Sequence, residues 1–171
     1  MGESMITNEK NNDCTVAISA WALAQGYGNE TIEHEDGTEI LLRTPYVISA
    51  GAAQIAVDLP TTVMIEEWLI RAVTEIDLPR VEDVENIDTL QNTLSERVAE
   101  LEKASPGSRM TVPLDDGVLW LGCEHQLPEV DPVAALEIHL KQSRNLYTTI
   151  IAEFLVPPAA ETIPSHLRLV K

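Results

Sequence analysis

The residues best equipped for chemistry in this 171-residue chain are two cysteines, Cys14 and Cys123, and four histidines, His34, His125, His139 and His166. Cys123-Glu124-His125 sets a thiol two residues from an imidazole. A nucleophilic cysteine needs a base within hydrogen-bond reach and a group that orients that base. Side chains two apart on a strand share a face, and the face of Cys123 in its predicted hairpin is apolar. The expected Cys123 is therefore a buried structural thiol with a raised pKa and no reactivity. The histidines show neither H-x-x-x-H nor H-E-x-x-H spacing. Glu137 and His139, two apart on a helix, point about 200° from each other and cannot hold one ion together. Surface histidines, no metal and no cofactor are the expectation.

Other chemistries are excluded by pattern. Glu33-His34-Glu35-Asp36-Gly37 lacks the alternating acidic order of a calcium loop. No Walker or dinucleotide glycine motif occurs, and Gly26-Tyr27-Gly28 has no lysine beside it. No placement of Ser, His and Asp suggests a triad.

Charge says more. There are 28 acidic against 11 basic residues, a net charge of -17. Nucleic acid and anionic membrane both require a cationic footprint, so neither is an expected partner. The start shows no signal-like apolar run, and no stretch reaches the roughly 18 apolar residues of a span. A cytoplasmic setting with reduced thiols follows. Met5 offers a second possible start.

The segment Glu75–Glu102 is rich in acids. Glu82, Asp83, Glu85, Asp88, Glu96 and Glu100 are the candidate docking surface for a basic protein, acting by electrostatic steering. The plainer alternative is a solvated helix face, with acids placed where the helix dipole favours them. Within the same segment Val84, Ile87, Gln91, Leu94, Val98 and Leu101 alternate steps of three and four. That is a heptad seam of about three repeats, suited to self-association or to packing inside one core.

These residues need elements to hold them. Alanine content predicts a helix over 13–25, capped by Asp13 and ended by Gly26. Asp36-Gly37 predicts a hairpin over 31–42. Thr44-Pro45 suggests a short helix over 45–57. Val57-Asp58-Leu59-Pro60 recurs as Ile76-Asp77-Leu78-Pro79, and both copies read as helix starts. Ile65, Trp68, Leu69, Ala72, Val73 and Ile76 form an apolar stripe at helical spacing, which predicts a helix from Thr61 to Ile76. A second helix covers 82–104 and stops at Ser105-Pro106-Gly107. A hairpin over 109–123, turning at Asp116-Gly117, sets Met110 opposite Cys123 and Leu114 opposite Leu119, with Pro113 marking an edge strand. Asp131-Pro132 opens a helix over 132–155 whose buried face carries Val133, Leu136, Leu140, Tyr147, Ile150 and Phe154.

The expected fold is one α+β domain over 13–156, helix-dominant. It has two short β-hairpins and a helical pair over 61–104 packed as an antiparallel hairpin. Residues 1–12 are expected to be a disordered tail and 157–171 an extended one. The expected function is a non-enzymatic acidic protein-binding module, of inhibitor or immunity type. The alternatives are a structural subunit of a homo-oligomer or multi-protein assembly, such as a virion or secretion particle, and a small enzyme using Cys123 and His125.

Overall fold

The computed structural model describes residues 3–50, 53–66, 69–77, 87–115, 118–154 and 168–169. In chain order they form α1 (Glu3–Ala24), β1 (Gly28–Glu33), β2 (Gly37–Ala50), β3 (Ala53–Glu66), β4 (Ile70–Asp77), α2 (Ile87–Ala104), β5 (Ser108–Thr111), β6 (Leu114–Asp115), β7 (Val118–Leu127), α3 (Pro132–Phe154) and β8 (Arg168–Leu169). An antiparallel sheet runs in the order β1-β2-β3-β4-β7-β5, with β6 paired to β7 and β8 to β3.

Strand and helix are about equally represented, so the helix-dominant expectation with two short hairpins is overturned. The expected helices over 45–57 and 61–76 are strands. Thr61, Val63 and Ile65 are buried on β3, and Ile70, Ala72 and Thr74 are buried on β4. Their neighbours between are more exposed. This period of two coexists with the helical spacing of Ile65, Leu69, Ala72 and Val73. The β-branched run Thr61-Thr62-Val63 decides between them, because branched side chains fit a pleated surface better than a helix. The supposed helical pair is therefore a β3–β4 hairpin, paired from Thr61↔Thr74 to Ile65↔Ile70. Pro45 is tolerated because β1 stops pairing with β2 at Gly28↔Arg43, and among the described residues no strand pairs beyond it on that side.

Other expectations fit. The β5–β7 register sets Met110 opposite Cys123, and β6–β7 sets Leu114 opposite Leu119. Strand β5 is at the sheet edge, as Pro113 requires. Helix α3 begins at Pro132, where Asp131 accepts a 3.1 Å hydrogen bond from the Ala134 N–H. Helix α1 starts at Glu3, not at the expected Asp13 cap, and so takes in most of the segment read as a tail. It ends at Ala24, followed by Gly26, whose φ of 73° is the left-handed closure that glycine permits. The first hairpin forms, but its turn is Glu35-Asp36, closed by the His34 N–H donating to the Gly37 carbonyl at 2.8 Å, one residue before the expected Asp36-Gly37. Gly37 matters there because a Cβ would strike the Ile65 carbonyl of β3.

One face of the sheet is buried under the helices, in two apolar clusters. The first joins Val57, Leu59, Leu119, Leu121 and Cys123 to Leu94 and Val98 of α2 and Leu146, Tyr147 and Ile150 of α3. The second joins Ile40, Leu42, Val63, Ile65 and Leu127 to Ile18 and Ala22 of α1 and Leu136 and Leu140 of α3. Ile87 and Leu101 of the heptad seam pack on the first cluster, and Gln91 donates a 2.9 Å hydrogen bond to the Val112 carbonyl. The described seam residues thus lie against this chain's own core. Among the described residues, no helix is long and apolar enough to cross a membrane.

Candidate metal centre

Between the two clusters runs a buried polar layer. Strand β2 contributes Thr44, β3 Thr61, β4 Thr74 and β7 His125, while α3 contributes His139 and Ser143. Most sit where their element passes from one cluster to the other. On β3, for example, Thr61 falls between Leu59 of the first cluster and Val63 of the second. On α3, His139 and Ser143 continue the stripe of Leu136, Leu140 and Tyr147 at helical spacing, so they face the sheet.

His139 is 0% exposed and His125 9%, which corrects the expectation of surface histidines for these two. His34 matches it, exposed and 3.0 Å from Glu39. His166 lies outside the described residues. The physical reason for the correction is that burial follows the face of an element, not residue type. His125 shares the inward face of Cys123, and His139 shares that of Leu136.

The two imidazoles meet edge to face, with Nδ1 2.6 Å from Nδ1. Cys123 Sγ lies 3.8 Å from His125 Nδ1. The three ligand atoms offered by Cys123, His125 and His139 all fall within 4.8 Å of one another. No ligand motif along the chain announces this set, because two ligands come from β7 and the third from α3.

Neighbours fix the rings. His139 Nε2 is 2.7 Å from the Thr74 hydroxyl, which is 2.7 Å from that of Thr61. The Ser143 hydroxyl donates to the His139 carbonyl at 2.8 Å and lies 3.5 Å from His139 Nε2. The Tyr147 hydroxyl reaches the carbonyls of Thr74 at 2.8 Å and Leu121 at 3.0 Å, tying α3 to β4 and β7. When His139 donates Nε2–H to Thr74, its Nδ1 lone pair is left facing His125. An outer partner of this kind is what orients a metal-ligating histidine.

The electrostatics suit ligands. Burial, and then the charge of His125, lowers the His139 pKa to about 3. Burial also lowers that of His125, partly offset by Gln142. Gln142 acts from beyond good hydrogen-bond geometry, since neither its Oε1 nor His125 Nε2 has a hydrogen-bond partner. Both rings are neutral near pH 7 and carry lone pairs. Burial raises the Cys123 pKa, with the Ser143 hydroxyl working the other way, so the thiol keeps its proton until a cation displaces it.

The spacing is close to that of a coordination sphere. Zinc-type bond lengths at a tetrahedral angle put a sulfur and a nitrogen roughly 3.6 Å apart and two nitrogens roughly 3.3 Å apart. The Cys123–His125 distance of 3.8 Å is near the first value. The imidazole nitrogens at 2.6 Å need to part by about 0.7 Å, and the widest separation in the set, up to 4.8 Å, needs to close by about 1 Å.

Of the expected docking carboxylates, Asp88, Glu96 and Glu100 are exposed on α2, and Glu100 pairs with Arg97 at 3.0 Å. Glu82, Asp83 and Glu85, with Val84 of the seam, fall outside the described residues. No family model, no curated protein and no solved structure matches this chain.

Proposed function

We propose that this is a metal-binding protein whose Cys123, His125 and His139 hold one transition-metal ion. The observation that carries the proposal is the convergence of a thiol and two neutral imidazoles in a buried site. Burying such groups is costly unless each is partnered, and the two Nδ1 atoms and Sγ already face one another. A cation between the Nδ1 atoms and Sγ would satisfy three donors at once and join α3 to the sheet. Thiolate and imidazole together suit a borderline or soft ion, not magnesium or calcium. The alternative of a nucleophilic Cys123 lacks a route for substrate, since the thiol is 0% exposed.

The test is refolding with Co²⁺, because the site is sealed once the chain has folded. One ion per chain is expected, with a thiolate-to-cobalt charge-transfer band that is absent in Cys123→Ser. A folded wild-type protein that takes up no ion would end this reading.

A second reading has its own support. Glu96 and Glu100 lie on the side of α2 away from Leu94 and Val98, and Asp88 is exposed on its flank. They are thus available to a basic protein, in keeping with the chain's net charge of -17. Binding to such a partner would weaken steeply with salt, and salt-independent affinity would count against it.

A further inference from the structure

The identity of the ion can be narrowed by asking what stands in the fourth position, an inference that rests on the metal reading above. Three protein donors leave a tetrahedral ion one short. Water is an unfavoured fourth ligand, because Cys123 and His139 are 0% exposed. The neighbouring hydroxyls are engaged: Thr74 with His139 Nε2 and Thr61, Ser143 with the His139 carbonyl. Met110 remains. It is the direct cross-strand partner of Cys123 in the β5–β7 register, and directly opposed side chains share one face of the sheet at close range. It is buried in the same cluster as Cys123. Its flexible thioether can adjust to an ion with little cost to the surrounding packing.

We infer that the centre takes copper, with Met110 as a fourth, weakly held sulfur donor beside Cys123, His125 and His139. Two soft sulfurs and two imidazoles favour Cu(I) over zinc. Two histidines, one cysteine and a distant methionine are also a donor set that holds Cu(II). Reduction then adds one electron to Cu(II) and leaves the four donors in place. The electron comes from an external one-electron donor.

The experiment refolds the chain with Cu(I) without oxygen, oxidises it with one equivalent of ferricyanide, and reduces it again with ascorbate. A visible thiolate-to-Cu(II) charge-transfer band is expected on oxidation, bleached by ascorbate. Met110→Leu keeps the volume, and should weaken Cu(I) binding by roughly tenfold, with a smaller loss for Co²⁺, which depends less on a soft thioether donor. Two results would overturn the copper assignment alone: Co²⁺ bound through Cys123 with zinc preferred over Cu(I), or Cu(I) bound equally by Met110→Leu and wild type. Failure to bind cobalt and copper alike would overturn the metal reading with it.

Discussion

The buried layer around His139 and the outer face of α2 are both polar, and they follow opposite rules. In the layer Thr61, Thr74, His125, His139 and Ser143 are sealed between apolar clusters, so each group must find a partner or cost stability. On α2, Asp88, Glu96 and Glu100 stand in water, where a charge is solvated whether or not it is paired. A few buried groups are therefore tightly constrained in geometry, while many exposed ones constrain almost nothing. The number of charged residues is a poor guide to where the chemistry sits.

The largest expected effect is that of the ion. Held at about a thousand times its dissociation constant, it should stabilise the fold by about 4 kcal/mol. Urea unfolding of the refolded holoprotein, with and without a chelator added at the refolding step, measures the difference. Equal midpoints would erase the contrast with α2.

Acid should act next. In the metal-free protein His139 titrates near 3, but in the unfolded chain near 6.5. Between those values the unfolded state binds more protons, so stability is complete above about pH 6.5 and declines as pH falls toward 3, by at most about 1.4 kcal/mol per pH unit for this group. His125 shifts in the same direction. Denaturation curves across this range, compared with His139→Gln, isolate the contribution. A slope that the variant shares unchanged would assign it to other groups.

Tyr147→Phe is smaller. It removes the hydroxyl that reaches the carbonyls of Thr74 and Leu121 and should cost about 1–3 kcal/mol, because acceptors are left buried. A loss below about 0.5 kcal/mol would show that those carbonyls are already satisfied within the sheet.

Legibility divides along the same line. The pairing of Met110 with Cys123 was readable because strand alternation and a two-residue turn fix register locally. Helix α3 was readable from its cap, its proline and its stripe. The β3–β4 hairpin was not, because the helical stripe of Ile65, Leu69, Ala72 and Val73 overlies the alternation of Ile70, Ala72 and Thr74, and only the β-branched content around Thr61-Thr62-Val63 favours a strand. The candidate site was half legible. His125 follows Cys123 on one face, and His139 and Ser143 interrupt an apolar stripe at positions that must be buried. A polar residue in such a stripe is a usable signal. What no local pattern gives is the height at which α3 crosses the sheet, and that height brings His139 to His125.

The smallest effect belongs to α2. The triple variant Asp88→Asn, Glu96→Gln, Glu100→Gln should change unfolding stability by no more than about 0.5 kcal/mol, since exposed charges contribute little and the ion pair of Glu100 with Arg97 is itself exposed. It should leave metal uptake unchanged. Its effect should fall on encounter with a basic partner, as a slower association at low salt that converges with wild type as salt screens the field. Polylysine is a sufficient probe, read by stopped-flow at two ionic strengths. If the triple variant instead lost several kcal/mol, or lost its ion, the outer face would be coupled to the buried layer through Leu94 and Val98, which pack in the same cluster as Cys123. The two regions would then have to be treated as one.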